Sequence, residues 1–511
     1  MPLLLRSRRG DFGVANRPEF SRAGPLAPSL KSIALGIFAR FVPYALILAA
    51  AAVPALRAQD GPPPVAVDGT MPEDRAPALR ELIRVALKQS PAMLIQQLSV
   101  AQSQAQVMQA DSSLYPHLSL NAGYSVSREQ VSEVGVISSP STSKGLVYGA
   151  NLSQNIFSWG QYVDQSRIAR IQLAITRRQF AEAYLSLVQQ IRDSYLGLIV
   201  ARENLRGARF SLQQADAALA LAREQLAHGD LATSALSQPE LGEGDAKVAA
   251  DTAEESYEHG KRLLAILCGV KEIDDSSIPE EMPAPAYSEE KAKALLAVIL
   301  REQGRSFFQE QVYEMQIKAD KLNYRIAATG LLPKFSLGAG YSLNRFSSLS
   351  NTTDAAGNTI SSVTQEGVRS TNYGLNMNWN VFDGLSTHAS KMSALDNRRM
   401  HERTLQDYVD RTAEEAQDLE RQLSIAAHSQ ALADTRATYA QGSADQAKEL
   451  LKYGGVARTA VDSAISTFYS AQYSQAYSRS LVFSRWCQLV YLAGADPTMS
   501  YLPVRYVRGN R

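Results

Sequence analysis

The residues of this chain with chemistry to offer are six histidines, two cysteines and many acidic side chains. His117, His228, His259, His388, His401 and His428 are scattered, without the short spacings that present paired ligands to a metal ion. Cys268 and Cys487 stand far apart and fit no disulfide framework, so two free, buried thiols are the simpler reading. There is no GxxxxGK[ST] phosphate loop and no GxSxG nucleophile elbow. Asp, Glu and Ser abound on helical stretches, where solvation is their ordinary role. No catalytic constellation, metal site or cofactor is expected, and an enzyme reading has no support.

What the sequence does contain is duplication. Leu114–Ser125, LYPHLSLNAGYS, returns at Leu331–Ser342 as LLPKFSLGAGYS, 217 residues later. A self-match at so long a period points to a duplicated domain and not to a short-repeat solenoid. In both copies a helical pattern arrives, Pro116 or Pro333 stops it, and a pattern of period two begins. Leu118, Leu120, Ala122, Tyr124 and Val126 alternate with Ser119, Asn121, Gly123, Ser125 and Ser127, as in a strand with one apolar and one small or polar face. The return strand sets Tyr148, Ala150 and Leu152 against Gly149, Asn151, Ser153 and Asn155. The second copy does the same with Phe335 to Leu343, then with Tyr373, Leu375, Met377, Trp379 and Val381 opposite Asn372 to Asn380.

From the return strand of each hairpin onward the offset is 225, as Tyr148 with Tyr373 and Asn155 with Asn380 show, so eight extra residues fall in the second hairpin loop. Polar loops are expected at 128–144 and 347–370. Between Gln161 and His228 no proline occurs and apolar residues recur at helical spacing, which predicts a helix about 100 Å long at 1.5 Å per residue. Gly229-Asp230 turns the chain into a second long helix, where Pro239 is expected to kink it. The resulting order is an export signal over 1–58, an extended arm over 59–75 and a first repeat over 76–269 with hairpin 117–157. An acidic, Pro-rich connector follows over 270–287, then a second repeat over 288–494 with hairpin 334–382, and a tail over 495–511. The signal reading rests on basic residues ahead of the apolar run Phe41 to Val53, with small Ala55 and Ala58 after it.

Formal charge is +1, from 52 basic and 51 acidic side chains, which removes the electrostatic case for nucleic acid. After residue 58 no apolar run is long enough for a transmembrane helix. Four strands from one chain cannot close a membrane barrel, whose smallest members have about eight, and open edges are not tolerated in lipid. The strands therefore form either a covered soluble sheet or a barrel shared between chains. The strands alone leave both open; the export signal and the lack of transmembrane helices favour the barrel. Phe157, Trp159, Trp379 and Phe382 near the strand ends suit an interfacial aromatic girdle.

The Pro–strand junctions LYPHLSL and LLPKFSL, the corners NIFSWG and NVFDGL, and the turns HGDLATSALS and YGGVARTAVD together resemble the outer-membrane efflux protein family, the TolC-like exit ducts. The likeness runs over most of 75–495 and lies in the duplicated order. Where the family has Pro before the corner, Asn155 and Asn380 stand here. Only the second copy keeps the Asp-Gly after Phe382; the first has Ser158-Trp159.

The resemblance implies an α+β membrane protein, a duplicated helix–strand–strand–helix chain. Three copies would form a trimeric twelve-stranded β-barrel in outer-membrane lipid, continued by a long α-helical barrel across the periplasm. It implies a passive duct for an inner-membrane pump of resistance-nodulation-division or ABC type, reached through a periplasmic adaptor; the alternative is a periplasmic coiled-coil scaffold without channel activity. It also implies a periplasmic gate at Tyr453, Arg458 and Asp462. Ser237 stands where the first repeat would supply an acidic partner, Glu240 is the substitute, and Ile465 replaces a second acid. The plain alternative is that Arg458 and Asp462, four apart on one helix, form a surface pair. Adaptor docking falls on Gly229, Asp230, Leu231, Gly454, Gly455 and Val456.

Overall fold

The computed structural model describes residues 70–129, 141–302, 308–353 and 359–507. The expected export signal, most of the arm and the tip of each hairpin lie outside the described residues.

A helical turn, α1 (Pro72–Arg75), leads into α2 (Pro77–Gln89) and α3 (Pro91–Ser112). All three begin with proline, whose missing N–H costs nothing in a first turn and whose fixed φ suits it. Residues 72–75 are thus helical, where an extended arm was expected. At Pro116 the chain becomes β1 (His117–Glu129), which pairs antiparallel with β2 (Ser141–Phe157). Then come α4 (Gln161–His228), 68 residues without a break, and α5 (Ser237–Cys268). Pro239 sits in the first turn of α5 and not within a longer helix, so no hydrogen bond is lost and no kink arises.

The second copy supplies α6 (Glu289–Glu302), α7 (Phe308–Ala328), β3 (Lys334–Thr353), β4 (Thr359–Asn378), α8 (Ser386–Lys452) and α9 (Arg458–Leu492). A short tail helix, α10 (Val504–Val507), stacks Tyr506 on Phe180 of α4.

Both hairpins join one antiparallel sheet in the order β1-β2-β3-β4. The ladder between β3 and β4 continues from Lys334↔Asn378 to Thr353↔Thr359. Most of the segment expected as a polar loop at 347–370 is therefore strand. Ser, Thr, Asn and Gln dominate it, and a ladder needs paired backbone groups more than an apolar face. In the first hairpin the pairs Arg128↔Thr142 and Glu129↔Ser141 likewise extend the strands into the expected loop. At its lower end β4 stops at Asn378, so Trp379, Val381 and Phe382 lie in the corner and not on a strand face.

The helices pack as two antiparallel hairpins, α4 with α5 and α8 with α9; α4 also lies against α3, α7 and α9, and α7 reaches α8. One apolar core gathers around the middle of α4, with Tyr184, Val188, Ile191 and Ile199, and takes in α2, α3 and α5. A second joins α6, α8 and α9 through Leu295, Leu423, Val482 and Trp486. The connector is no loose linker. Ile273, Ile278 and Met282 are buried. Tyr195 donates to the Ser277 carbonyl at 2.6 Å, and Arg479 donates to the Met282 carbonyl at 2.8 Å.

Between the two cores lies a buried ionic cluster. Arg192 of α4 makes paired hydrogen bonds to Glu73 of α1 (3.1 and 2.5 Å) and to Asp496 after α9 (2.6 and 3.1 Å). The exposures of these side chains are 1% for Arg192, 6% for Glu73 and 1% for Asp496. Burial alone would raise the Asp496 carboxyl, but the Arg192 guanidinium and the Thr498 donors hold it below its ordinary value. Cys268 and Cys487 are free and buried.

Candidate functional site

Three features of the fold bear on function: the two faces of the sheet, the corners beneath it, and the far tips of the helix hairpins.

On one face Leu118 to Val126, Leu146 to Leu152, Phe335 to Leu343 and Thr371 to Met377 align through the register. They are apolar, aromatic or uncharged, and the described residues leave them open: Leu120 is 79% exposed and Tyr373 86%. The opposite face carries Ser, Asn and Gly. There Asn151 Nδ2 donates to Asn121 Oδ1 at 3.2 Å. Glycines make room for these amides: a Cβ on Gly149 would lie 2.4 Å from Asn121 Oδ1, and one on Gly340 would lie 2.4 Å from Asn372 Oδ1. Asparagine and glycine thus interlock across strands into a polar lining. Among the described residues the outer strands β1 and β4 each leave one edge unpaired.

At the corners the chain turns from strand to helix through two successive left-handed residues. In the first copy these are Trp159 (φ 55°) and Gly160 (φ 81°); in the second, Gly384 (φ 62°) and Leu385 (φ 72°). Each corner has one glycine and one side chain that accepts the strain. The Ser158-Trp159 departure therefore moves the glycine by one position and keeps the backbone path. Both tryptophans reach the second junction: Trp159 Nε1 donates to the Pro333 carbonyl at 2.9 Å, and Trp379 Nε1 to the Leu331 carbonyl at 3.0 Å. Phe157 meets the Trp159 ring edge-on with centroids 5.0 Å apart. Phe382 is largely exposed. Just below, buried Asp164 of α4 binds Arg325 of α7 and, at 3.2 Å, Arg167, which fastens one repeat to the other. Asp383 accepts from the Thr387 hydroxyl (2.6 Å) and its N–H (2.8 Å), which holds the Asp383 carboxyl below its ordinary value.

At the tips α4 ends on Gly229 (φ 83°) and α8 is followed by Gly454 (φ 72°). Asp230 N–H donates to the Gln225 carbonyl and Gly455 N–H to the Leu450 carbonyl, each at 2.9 Å, closing the last turn of its helix. Gly455 itself has no positive φ. Asp230 is exposed, while Leu231 and Val456 are half-buried.

Tyr453, Arg458, Ser237 and Glu240 are exposed and Asp462 is half-buried. Arg458 and Asp462 form no ion pair with each other in the single chain. Glu240 lies 3.8 Å from Arg223, and Ser237 donates to the Ser234 carbonyl at 2.8 Å. Neither bonds Tyr453 or Arg458 within the chain. The residue that sequence reasoning missed is Gln214 of α4. Its amide donates to the Asp462 carbonyl at 2.7 Å and accepts from Ser466 at 3.1 Å, which fixes the start of α9 against α4.

Residues 82–241 match the model of a family described as outer membrane efflux protein. The match covers a little under a third of the chain. The chain is 25% identical over 281 residues to the pyoverdine export outer membrane protein OpmQ of Pseudomonas putida; the match covers 52% of the chain and 56% of that relative. It thus spans a little over half the length of the curated relative. Among solved structures it is similar to the CmeC outer membrane channel of Campylobacter jejuni, with TM-score 0.61 and 17% identity over 83% of this chain and 87% of that one. VceC of Vibrio cholerae gives TM-score 0.56 and 17% identity over 82% and 97%. The open state of MtrE of Neisseria gonorrhoeae gives TM-score 0.56 and 16% identity over 82% and 89%. At these identities the likeness is one of fold: a mostly helical chain carrying one antiparallel sheet.

Proposed function

We propose that three copies of this chain close a twelve-stranded barrel and a helical tunnel. This assembly passively conducts substrate from an inner-membrane pump and periplasmic adaptor to the exterior. The observation that carries the reading is the sheet: four strands with two unpaired edges, one uncharged face and one polar face. Edge strands in lipid need partners, and copies of the same chain supply them at β1 and β4. The uncharged stretches of the strands span nine to thirteen residues, enough to cross a bilayer when tilted. Junctions at Pro116 and Pro333, with Phe157, Trp159, Trp379 and Phe382, mark the inner interface.

The duct does no chemistry; the free energy belongs to the pump, of resistance-nodulation-division or ABC type. The tips at Gly229, Asp230, Leu231, Gly454, Gly455 and Val456 are the adaptor surface. Threefold symmetry would gather the Asp462 residues near the entrance beside Tyr453 and Arg458, and close carboxylates bind cations. Expected outcomes are a trimer in detergent and ion conductance in planar bilayers; a stable water-soluble monomer would refute the duct and favour a periplasmic scaffold. Asp462→Asn should weaken block by multivalent cations in single-channel recordings, and unchanged block would remove Asp462 from the gate.

A further inference from the structure

The uncharged face of the sheet ends abruptly. Its first charged residue beyond the belt is Arg128 on β1, Lys144 on β2, Arg345 on β3 and Arg369 on β4, one cation per strand. All four are exposed. The register places them on a diagonal. Arg128 faces Thr142, two residues from Lys144 on the same face; Leu146, two residues from Lys144 on the other side, faces Arg345; Arg369 faces Leu343, two residues from Arg345. Such diagonal neighbours are about 7–8 Å apart.

The corners beneath the sheet step in the same direction. Arg128 and Arg345 each follow their junction proline, Pro116 or Pro333, by 12 residues, and Lys144 and Arg369 each precede the corner phenylalanine, Phe157 or Phe382, by 13. The four cations therefore share one level above the corners. At 3.3 Å per residue and a strand tilt near 40°, that level is about 30 Å up, just past an apolar band of about 25 Å. Among the described strand residues no acid shares the parity of these cations: Glu129 and Glu366 have the opposite one. Lys144 and Arg345 border an open groove of about 550 Å³, lined also by Tyr124 and Leu146 and, at one side, by Glu366; two cations against one carboxylate leave it net positive.

We propose that this row is a binding belt for phosphate-bearing headgroups of the outer-leaflet lipid, with acyl chains lying on the Leu and Tyr side chains below. Charge complementarity selects the occupant: cations at headgroup depth meet anionic phosphate, and arginine binds it through two parallel N–H donors. The proposal rests on the trimeric barrel, in which the row continues around the circumference.

The test uses the full-length protein purified in detergent, with binding measured by native mass spectrometry and by the heat-dissociation temperature of the trimer. The probes are lipid A bisphosphate, the same lipid without phosphates, and inorganic phosphate. The bisphosphate form should bind about tenfold or more tighter than the dephosphorylated form and raise the dissociation temperature, with inorganic phosphate doing neither. The quadruple variant Arg128→Gln, Lys144→Gln, Arg345→Gln, Arg369→Gln should lose the preference. If it does not assemble, Lys144→Gln and Arg369→Gln singly should each reduce it. Equal binding of the two lipids by the native protein, or a preference that survives the substitutions, overturns the belt. If the protein is a trimer that conducts yet shows no phosphate preference, the belt alone falls; if it is a monomer, the duct reading falls with it.

Discussion

Removing the Arg192 guanidinium gives the sharpest test of what holds the helical body together. Arg192→Met keeps the stem and its packing but leaves Glu73 and Asp496, 6% and 1% exposed, facing each other without a cation. Uncompensated buried charge of this kind costs about 3–5 kcal/mol. An independent bound agrees: protonating one carboxyl of ordinary pKa, about 3.9, at pH 7 costs about 4 kcal/mol. The sign of the pH dependence separates this cause from lost packing. In the native protein Asp496 is held low, so its contribution is present above the unfolded pKa and is lost as pH falls through the folded one. In the variant Asp496 loses the guanidinium that offsets its burial, so the deficit should shrink as pH falls from 8 towards 5, by up to about 1.4 kcal/mol per pH unit for each proton taken up. Urea unfolding of the detergent-solubilised protein, followed through Trp486 with Trp159 and Trp379 replaced by Phe, reads both quantities. The triple variant Arg192→Met, Glu73→Leu, Asp496→Leu should recover most of the loss, since apolar replacement of a whole buried ion cluster is often neutral. A deficit under about 1 kcal/mol, or one independent of pH and shared by the triple variant, refutes the reasoning.

Gly269→Ala should destabilise the protein by at least about 2 kcal/mol in the same assay, because φ is +71° and the new Cβ would lie 2.3 Å from the Gln89 carbonyl oxygen. Burial pushes the Cys268 thiol up to about 12 and the Cys487 thiol higher, so neither should react with maleimide at pH 7.5 until the protein is unfolded; labelling of the folded protein would contradict the packing. Gln214→Ala should cost about 1 kcal/mol and speed amide exchange at the start of α9, while unchanged exchange would show that its two bonds are idle.

Much of the architecture was legible because it is periodic and occurs twice. The change from period 3.6 to period two at Pro116 and Pro333, the constant offset of 225 after each hairpin, and the tip glycines Gly229 and Gly454 each express a local backbone preference. What escaped depends on register or on distance. Ser347–Thr353 lacks an apolar alternation, so nothing local marks it as strand until its partner is known. Trp379 and Val381 continue the alternation but lie beyond the last ladder pair. Arg192 meets partners 119 and 304 residues away; locally it is one arginine among Ile191, Tyr195 and Ile199. The four cations of the belt look unrelated along the chain and align only once the strands are placed side by side. The candidate gate was legible solely by family resemblance: Tyr453, Arg458 and Asp462 have no mutual contacts within one chain that a pattern could reveal.

The two bare edges of the sheet also carry a genetic consequence. In the proposed trimer β1 and β4 are different surfaces, so the ring would join unlike edges and every protomer would be needed at two seams. A chain with one spoiled edge, such as a proline placed midway in β1, still offers an intact β4 to a normal neighbour and so enters rings it cannot close. With equal amounts of normal and altered chains mixing at random, only about one ring in eight would consist wholly of normal chains. Edge lesions should therefore be dominant over the normal copy, whereas lesions that unfold the helical body before assembly should be recessive.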